Sequence, residues 1–215
     1  METFSNLNSK GEPFDLKLNE KIFKNKERGF FIELGAFDGL IQSNTAFFEK
    51  YKNWTGVLVE PSKNRYEECV KNRPNSICFN YICSSKNMDV VYMNEDDGLM
   101  AKVINEESKY TFKAVTLESL LNGINCNFNI DFLSLDVEGY EFEVLKGLNL
   151  NKYRPNYMLI ELWTSNEKLV CEFLEKNNYD LMENFSNYNR IDNPTWGHNG
   201  ETHNDFLFVD KVILK

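Results

Sequence analysis

The chain of 215 residues has no apolar run near the roughly 18 residues that a membrane-spanning helix needs, so no helical span is expected. Residues 1–11 are polar and lack the apolar core of a secretory signal. Basic residues are outnumbered: the formal net charge is −9 and the isoelectric point lies near 4.9. That balance argues against nucleic acid, whose binding rests on Lys and Arg neutralising phosphates. The five cysteines (69, 78, 83, 126 and 171) are odd in number and show no C-x-x-C spacing. Several lie in apolar surroundings, so reduced buried thiols in a cytoplasmic protein are the expectation. Histidine occurs only twice, at His198 and His203. Internal repeats and low-complexity tracts are absent.

What is present suits a globular chain: 42% hydrophobic and 14% aromatic residues, with length enough for a substantial core. The expected organisation is an N-terminal arm and helix over 1–28, then a single domain over 29–215. Residues 29–60 are its centre. Phe30 to Leu34 is an apolar run broken once by Glu33, the pattern of a buried parallel strand. Gly35 and Gly39 bracket a tight turn where backbone can approach a ligand. A helix follows over about 42–51, with Ser43, Asn44 or Thr45 as its cap, and a second strand ends at Glu60 before Pro61. Strand, glycine turn, helix, and strand with a terminal acid form a nucleoside-binding crossover, in which the acid accepts from ribose hydroxyls.

The turn reads Gly35-Ala36-Phe37-Asp38-Gly39 and lacks the central glycine of G-x-G-x-x-G. Asp38 stands where a pyrophosphate would bring its charge. Acids at 33, 38 and 60 suit a cationic ligand, and S-adenosylmethionine carries a sulfonium and an ammonium without phosphate.

Several blocks in this order resemble one family. Glu33-Leu-Gly-Ala-Phe-Asp-Gly39, Ser43-Asn-Thr45, Trp54-Thr-Gly-Val-Leu-Val-Glu-Pro61 and Leu135-Asp-Val-Glu-Gly-Tyr-Glu141 look like FkbM-type methyltransferases. The likeness runs from Ser9-Lys-Gly-Glu12 to Asn204-Asp-Phe-Leu-Phe208. It implies an α/β, Rossmann-like class I methyltransferase fold, with a mixed, mostly parallel sheet of about seven strands and an antiparallel last strand. It also implies S-adenosylmethionine as cofactor and O-methylation of a sugar, a nucleotide-sugar or a similar polar metabolite, as in polysaccharide pathways. Glu12 would lie near cofactor or acceptor, or belong to a surface arm.

Further along, Ser62 is expected to cap a helix to about 72, and residues 76–84 to form a third strand. Asn80, Tyr81 and Ile82 at its end would grip adenine. Residues 89–93 read as a short strand, and 94–107 as an acidic loop that either covers the site or is a surface excursion. Thr116 caps a helix ended by Gly123. Strands over 130–135 and 156–162, helices over 140–148 and 167–177, and a terminal antiparallel pair over 179–183 and 205–209 complete the chain.

Ligands of open α/β sheets sit beyond the carboxyl ends of the strands. Glu60, Asn80, Asp136 and Glu161 each end a strand beside the Gly35 turn. Asp136 and Glu138 are the candidate bases for an acceptor hydroxyl; alternatively Asp136 orients the methionine ammonium and Glu138 caps a helix. Asp136 and Glu161 are the only visible ligands for a divalent metal, and without a third one the metal-free scheme is preferred. His203 is a candidate base. Glu161, Trp196 and His198 are expected to face the acceptor. Asn193-Pro-Thr-Trp196 has the look of an amino-methyltransferase motif but follows the wrong strand, so it reads as a turn. The reading is an O-methyltransferase. Rivals are methylation of a carboxylate or phosphate-type oxygen, a nicotinamide-dependent oxidoreductase, and a cofactor-binding module without catalysis. Oligomeric state is not legible.

Overall fold

Both faces of the strand that opens the domain are covered, as its unbroken apolar run requires. The computed structural model describes residues 1–94, 100–193, 196–197 and 200–213. The N-terminal stretch carries helix α1 (Phe14–Lys17), which continues as one π-helical turn, Leu18–Ile22. Phe14, Leu18 and Phe23 are buried from it. They join Phe31, Phe47, Phe48 and Trp54 in one layer of core, so this segment covers a sheet face.

The crossover follows as β1 (Phe30–Leu34), α2 (Ala46–Lys52) and β2 (Thr55–Val59). Helix α2 starts later than the 42 expected, because Ser43 Oγ accepts the Ala46 N–H and makes 43–45 a cap rather than a first turn. Then come α3 (Lys63–Asn72) and β3 (Ile77–Phe79). Ser62 occupies the N-cap position of α3 but makes no side-chain cap bond.

The expected single strand over 76–84 is two. After β3 the chain breaks, and β4 (Ile82–Cys83) joins a separate sheet with β5 (Met88–Met93), β6 (Val103–Ile104) and β7 (Thr111–Val115). That sheet has the order β4-β7-β5-β6. The chain returns through α4 (Leu117–Gly123), whose cap Thr116 accepts the Ser119 N–H, and through β8 (Phe132–Leu135), α5 (Glu141–Lys146) and β9 (Tyr157–Trp163). Helix α6 (Glu167–Lys176), β10 (Tyr179–Asn184) and β11 (His203–Asp210) complete it.

The main sheet has seven strands in the order β10-β11-β9-β8-β1-β2-β3. Strands β3, β2, β1, β8 and β9 run parallel, and β11 runs antiparallel between β9 and β10. Strand order reverses between β1 and β8, which opens a crevice above both. The register is level there: Leu34 pairs with Val59 and Leu135, Leu135 with Ile160, and Glu161 with Asp205. Gly35, Glu60, Asp136, Glu161 and Asp205 therefore form one row along the sheet edge. Among the described residues no helix is long and apolar enough to cross a membrane.

Candidate active site

A cavity of about 540 Å³ opens above the β1/β8 crevice, within the range of small-molecule sites. Its floor includes Gly35, Glu60, Ser134, Asp136 and Glu138, and its opposite wall includes Met93, Val103, Tyr110 and Phe112 from the second sheet. The acidic loop expected over 94–107 thus contributes Ala101, Lys102 and Val103 to the wall. Residues 95–99 lie outside the described residues.

The turn after β1 is held from beneath. Gly35 has φ of +78°, and a Cβ there would stand 1.8 Å from the Asp136 carbonyl oxygen. Glycine lets the turn cross the end of β8. Glu60 Oε2 accepts the Phe37 N–H at 2.9 Å and Oε1 accepts the Ser62 N–H at 2.8 Å. Glu60 lines a cavity that Pro61, Tyr81 and Ile82 also line. Asn44 is buried, and its Nδ2 donates to Ser134 Oγ at 3.0 Å. Its Oδ1 has no partner among the described residues, and Asn44 lines the cavity.

Three expected cofactor acids have different surroundings. Glu33 reaches the cavity floor, but its carboxylate accepts from Ser43, the Asn44 N–H and Thr45 and is paired with Arg73 at 3.4 Å. Arg73 is 2% exposed and also binds Glu49 at 2.8 Å and the Gly39 carbonyl at 3.0 Å. Glu33 is therefore held by several donors at once and anchors residues 39–45. Asp38 accepts the Leu40 and Ile41 N–H groups and closes its own turn, away from the cavity lining. Of the three, Asp38 lies outside the cavity lining, Glu33 is paired with Arg73, and Glu60 lines the cavity beside Pro61. Ala36, Gly39 and Ser43 pack behind the turn. Asn80 is turned to the Glu60 and Pro61 carbonyls, bracing that corner from outside the lining.

A second group of acids gathers at the far side of Asp136. Asp136, Glu138 and Glu161 bring one oxygen each within 4.8 Å of the others. Glu138 supplies the third carboxylate that the sequence did not reveal. Its turn is fixed by Glu141, whose Oε1 accepts the Val137 and Gly139 N–H groups. Neither residue supplies a side-chain cap to α5; Glu141 instead ties the preceding turn to the start of the helix. Among the described residues no lysine or arginine forms an ion pair with Asp136, Glu138, Glu161 or Asp205. Burial then pushes Asp136 up to about 6, Glu138 to about 8 and Asp205 to about 7. Glu161 is raised well above the usual carboxylate range, by burial first and by the charge of Asp136 second. The approach of Glu161 holds Asp136 below what burial alone would give.

His203 Nε2 lies 3.6 Å from Glu161 Oε1, and burial lowers the imidazole pKa. Trp196 stands near it, ring centroids 6.0 Å apart. His198 lies outside the described residues, as do the central residues of Asn193-Pro-Thr-Trp196. Glu12 is not brought to the cavity: it bonds Asn8 and Lys21. Arg73, Trp163 and Asp205 were missed. Trp163 and Asp205 had a signal in the two-residue strand period, since Trp163 follows Glu161 by two and Asp205 precedes the buried Leu207 by two.

The fold, with β11 inserted antiparallel beside a parallel sheet and the cavity at its switch point, defines a class I, S-adenosylmethionine-dependent methyltransferase. The chain belongs to the methyltransferase FkbM domain family, whose model matches residues 33–185. Among solved structures, Aeropyrum pernix fibrillarin with natively bound S-adenosyl-L-methionine superposes with a TM-score of 0.51 at 13% identity, covering 91% of this chain and 73% of that one. A TehB-like methyltransferase of Corynebacterium glutamicum gives 0.49 at 9% identity, over 94% of this chain and 91% of that one. A precorrin-6y C5,15-methyltransferase of Geobacter metallireducens gives 0.49 at 10% identity, over 97% and 94%. No curated protein matches the chain in sequence.

Proposed function

We propose that the chain is an O-methyltransferase acting on a hydroxyl of a small polar acceptor, such as a sugar. The observation that carries the cofactor half is the level row of Gly35, Glu60 and Asp136 along the cavity floor, with Asn44 Oδ1 unpartnered in its lining. Glu60 accepts the ribose hydroxyls, and Tyr81 and Ile82 border the adenine. Asn44 Oδ1, oriented by Ser134, accepts the methionine ammonium. These residues fit the cofactor: an orphaned amide oxygen accepts a hydrogen bond from an ammonium, and a Cβ at 35 would close the turn.

S-adenosylmethionine supplies a methyl already made electrophilic by its sulfonium. The chain's residues align the acceptor oxygen and take its proton. As the O–CH₃ bond forms, the S–CH₃ bond breaks, the sulfur leaves as a neutral thioether, and the hydroxyl proton passes to Asp136. With a pKa near 6, Asp136 is largely ionised at neutral pH yet more basic than an exposed aspartate. Asp136→Asn keeps the shape and removes the base. Release of S-adenosylhomocysteine should fall by about 10²-fold or more while cofactor affinity changes little. Unchanged turnover in that variant would refute the role of Asp136.

A further inference from the structure

All five cysteines are free, and two of them touch. Cys69 in α3 and Cys78 in β3 bring their sulfurs to 3.7 Å. Neither takes part in the methyl transfer. The contact follows from the strand period: Cys78 pairs with Leu58, and its side chain packs into the core layer that Leu58, Phe31 and Cys69 share. Cys69 is fully buried, whereas Cys78 is half-buried on the edge strand of the main sheet. Cys78 also lines a cavity of about 480 Å³, distinct from that of the cofactor, with Tyr66, Tyr81 and Phe112 among its other walls. A small reagent therefore meets Cys78 before Cys69.

The thiolate, not the thiol, is the reactive form of cysteine. The Cys78 pKa is lowered, first by the hydrogen bond from Cys69 and then by the positive charge of Arg73, against the burial that opposes both. The same bond, followed by burial, raises Cys69. Burial pushes Cys83 up to about 12, and burial with the charge of Glu167 raises Cys171. Cys126 is buried. One accessible nucleophile thus has a second thiol already in contact, the arrangement of a redox-sensitive pair.

We propose that Cys69 and Cys78 are a reversible oxidation site, closed to a disulfide by a hydroperoxide, and that closure loosens the cofactor turn. The Cys78 thiolate attacks the peroxide: an S–O bond forms, the O–O bond breaks, and alkoxide or hydroxide leaves. The Cys69 sulfur then attacks the sulfenic sulfur. The S–S bond forms, the S–O bond breaks, and the hydroxyl leaves as water with the Cys69 proton. Both electrons pass to the peroxide, and a small dithiol returns them by exchange.

Sulfurs 3.7 Å apart must close by about 1.7 Å to bond, which draws this part of α3 towards β3. The cofactor turn rests on the same part. A Cβ on Gly39 would stand 3.1 Å from Cys69 Sγ. Arg73, whose backbone N–H donates to the Cys69 carbonyl, also donates to the Gly39 carbonyl at 3.0 Å. Asn72 Nδ2 donates to the Asp38 carbonyl at 2.8 Å. At the other end of α3, Asn64 and Arg65 line the cofactor cavity itself. Displacing Cys69 therefore displaces the end of the Gly35 turn.

The test treats the full chain, reduced with dithiothreitol and freed of it, with hydrogen peroxide. Trypsin cuts after Lys71, between the two cysteines, and the peptides are mapped by mass. S-adenosylmethionine affinity is read by calorimetry before and after. A peptide linked through Cys69 and Cys78 is expected, with Cys83, Cys126 and Cys171 unchanged. Affinity should fall about tenfold and return with dithiothreitol. Cys69→Ala, folded by circular dichroism, should stop at a sulfenic acid on Cys78 that dimedone traps, and Cys78→Ala should keep its affinity through the treatment. First oxidation at another cysteine, or no link between the two, overturns the site. A link that leaves affinity unchanged, or the same loss of affinity in Cys78→Ala as in the wild type, overturns its coupling to the turn. Failure of the reduced wild type to bind S-adenosylmethionine would instead strike the cofactor assignment, while the linked peptide still decides the oxidation site.

Discussion

Arg73 shows how one residue decides what its neighbours are for. Buried at the end of α3, it joins Glu33, Glu49, Thr45 and the Gly39 carbonyl, and so fixes the whole segment between β1 and α2. Removing one partner of such a group leaves uncompensated buried charge, which costs about 3–5 kcal/mol. Arg73→Met should lower unfolding stability by that order in a urea titration; a loss under about 1 kcal/mol would show the network to be ornamental. Glu33 was legible as a strand-end acid, but its partner lies forty positions away and no local pattern joins them. That is why a cation-binding role was expected for a carboxylate that already has an arginine and three neighbouring donors of its own. Asp38 misled differently, because a short side chain after a tight turn satisfies its own backbone.

The same scale holds the question of a metal. Glu138 removes the objection that a third ligand was wanting, yet the proton-transfer scheme needs none. Exhaustive chelation should therefore leave S-adenosylhomocysteine release intact. Loss of activity on chelation, restored by magnesium or manganese and absent in Glu161→Gln, would replace the base scheme with Lewis-acid assistance.

Among elements, the parallel strands and their helices were legible because apolar runs and caps announce them: β1, β2, β8 and β9 fall where their runs stand. Of the second sheet, only the strand expected over 89–93, which is β5, was legible. Its strands are short, β4 and β6 having two residues each, and its pairings join distant segments that carry little periodicity. Residues 94–107 were expected to be a loop, either over the site or a surface excursion; Ala101, Lys102 and Val103 line the cavity, beside Tyr110 and Phe112 from the second sheet. Since β6 pairs with β5 through only two registered residues, this wall belongs to the less stable end of the structure. Cofactor contact should slow amide hydrogen exchange across 101–104 and 110–112. Unchanged exchange there under saturating S-adenosylhomocysteine would separate the second sheet from the binding event.

At the scale of the whole molecule, the acid cluster ties stability to pH. Asp136, Glu138, Glu141 and Asp205 all have raised pKa values, from about 6 to about 8, chiefly through burial. Between pH 4 and 8 the folded chain binds more protons at these sites than the unfolded chain, so stability falls as pH rises. Glu161 is raised as well, and His203, whose pKa is lowered, works the other way near its ordinary value, one group against five. The ligand-free protein should lose more than about 1.4 kcal/mol from pH 5 to pH 8, the worth of one unit on one group. Stability that rises across that interval would mean that the carboxylates have cationic partners in solution.

The row of Gly35, Glu60 and Asp136 stands or falls with the cofactor. Calorimetric titration of S-adenosylmethionine into the wild type and Glu60→Ala, with NADH as the comparison ligand, tests it most directly. The wild type should bind S-adenosylmethionine and not NADH. Glu60→Ala, folded by circular dichroism, should bind about ten- to a hundredfold more weakly, the worth of charge-assisted bonds of about 1.5–3 kcal/mol. Wild-type affinity in the folded variant, or preference for NADH, would contradict the assignment of the cavity.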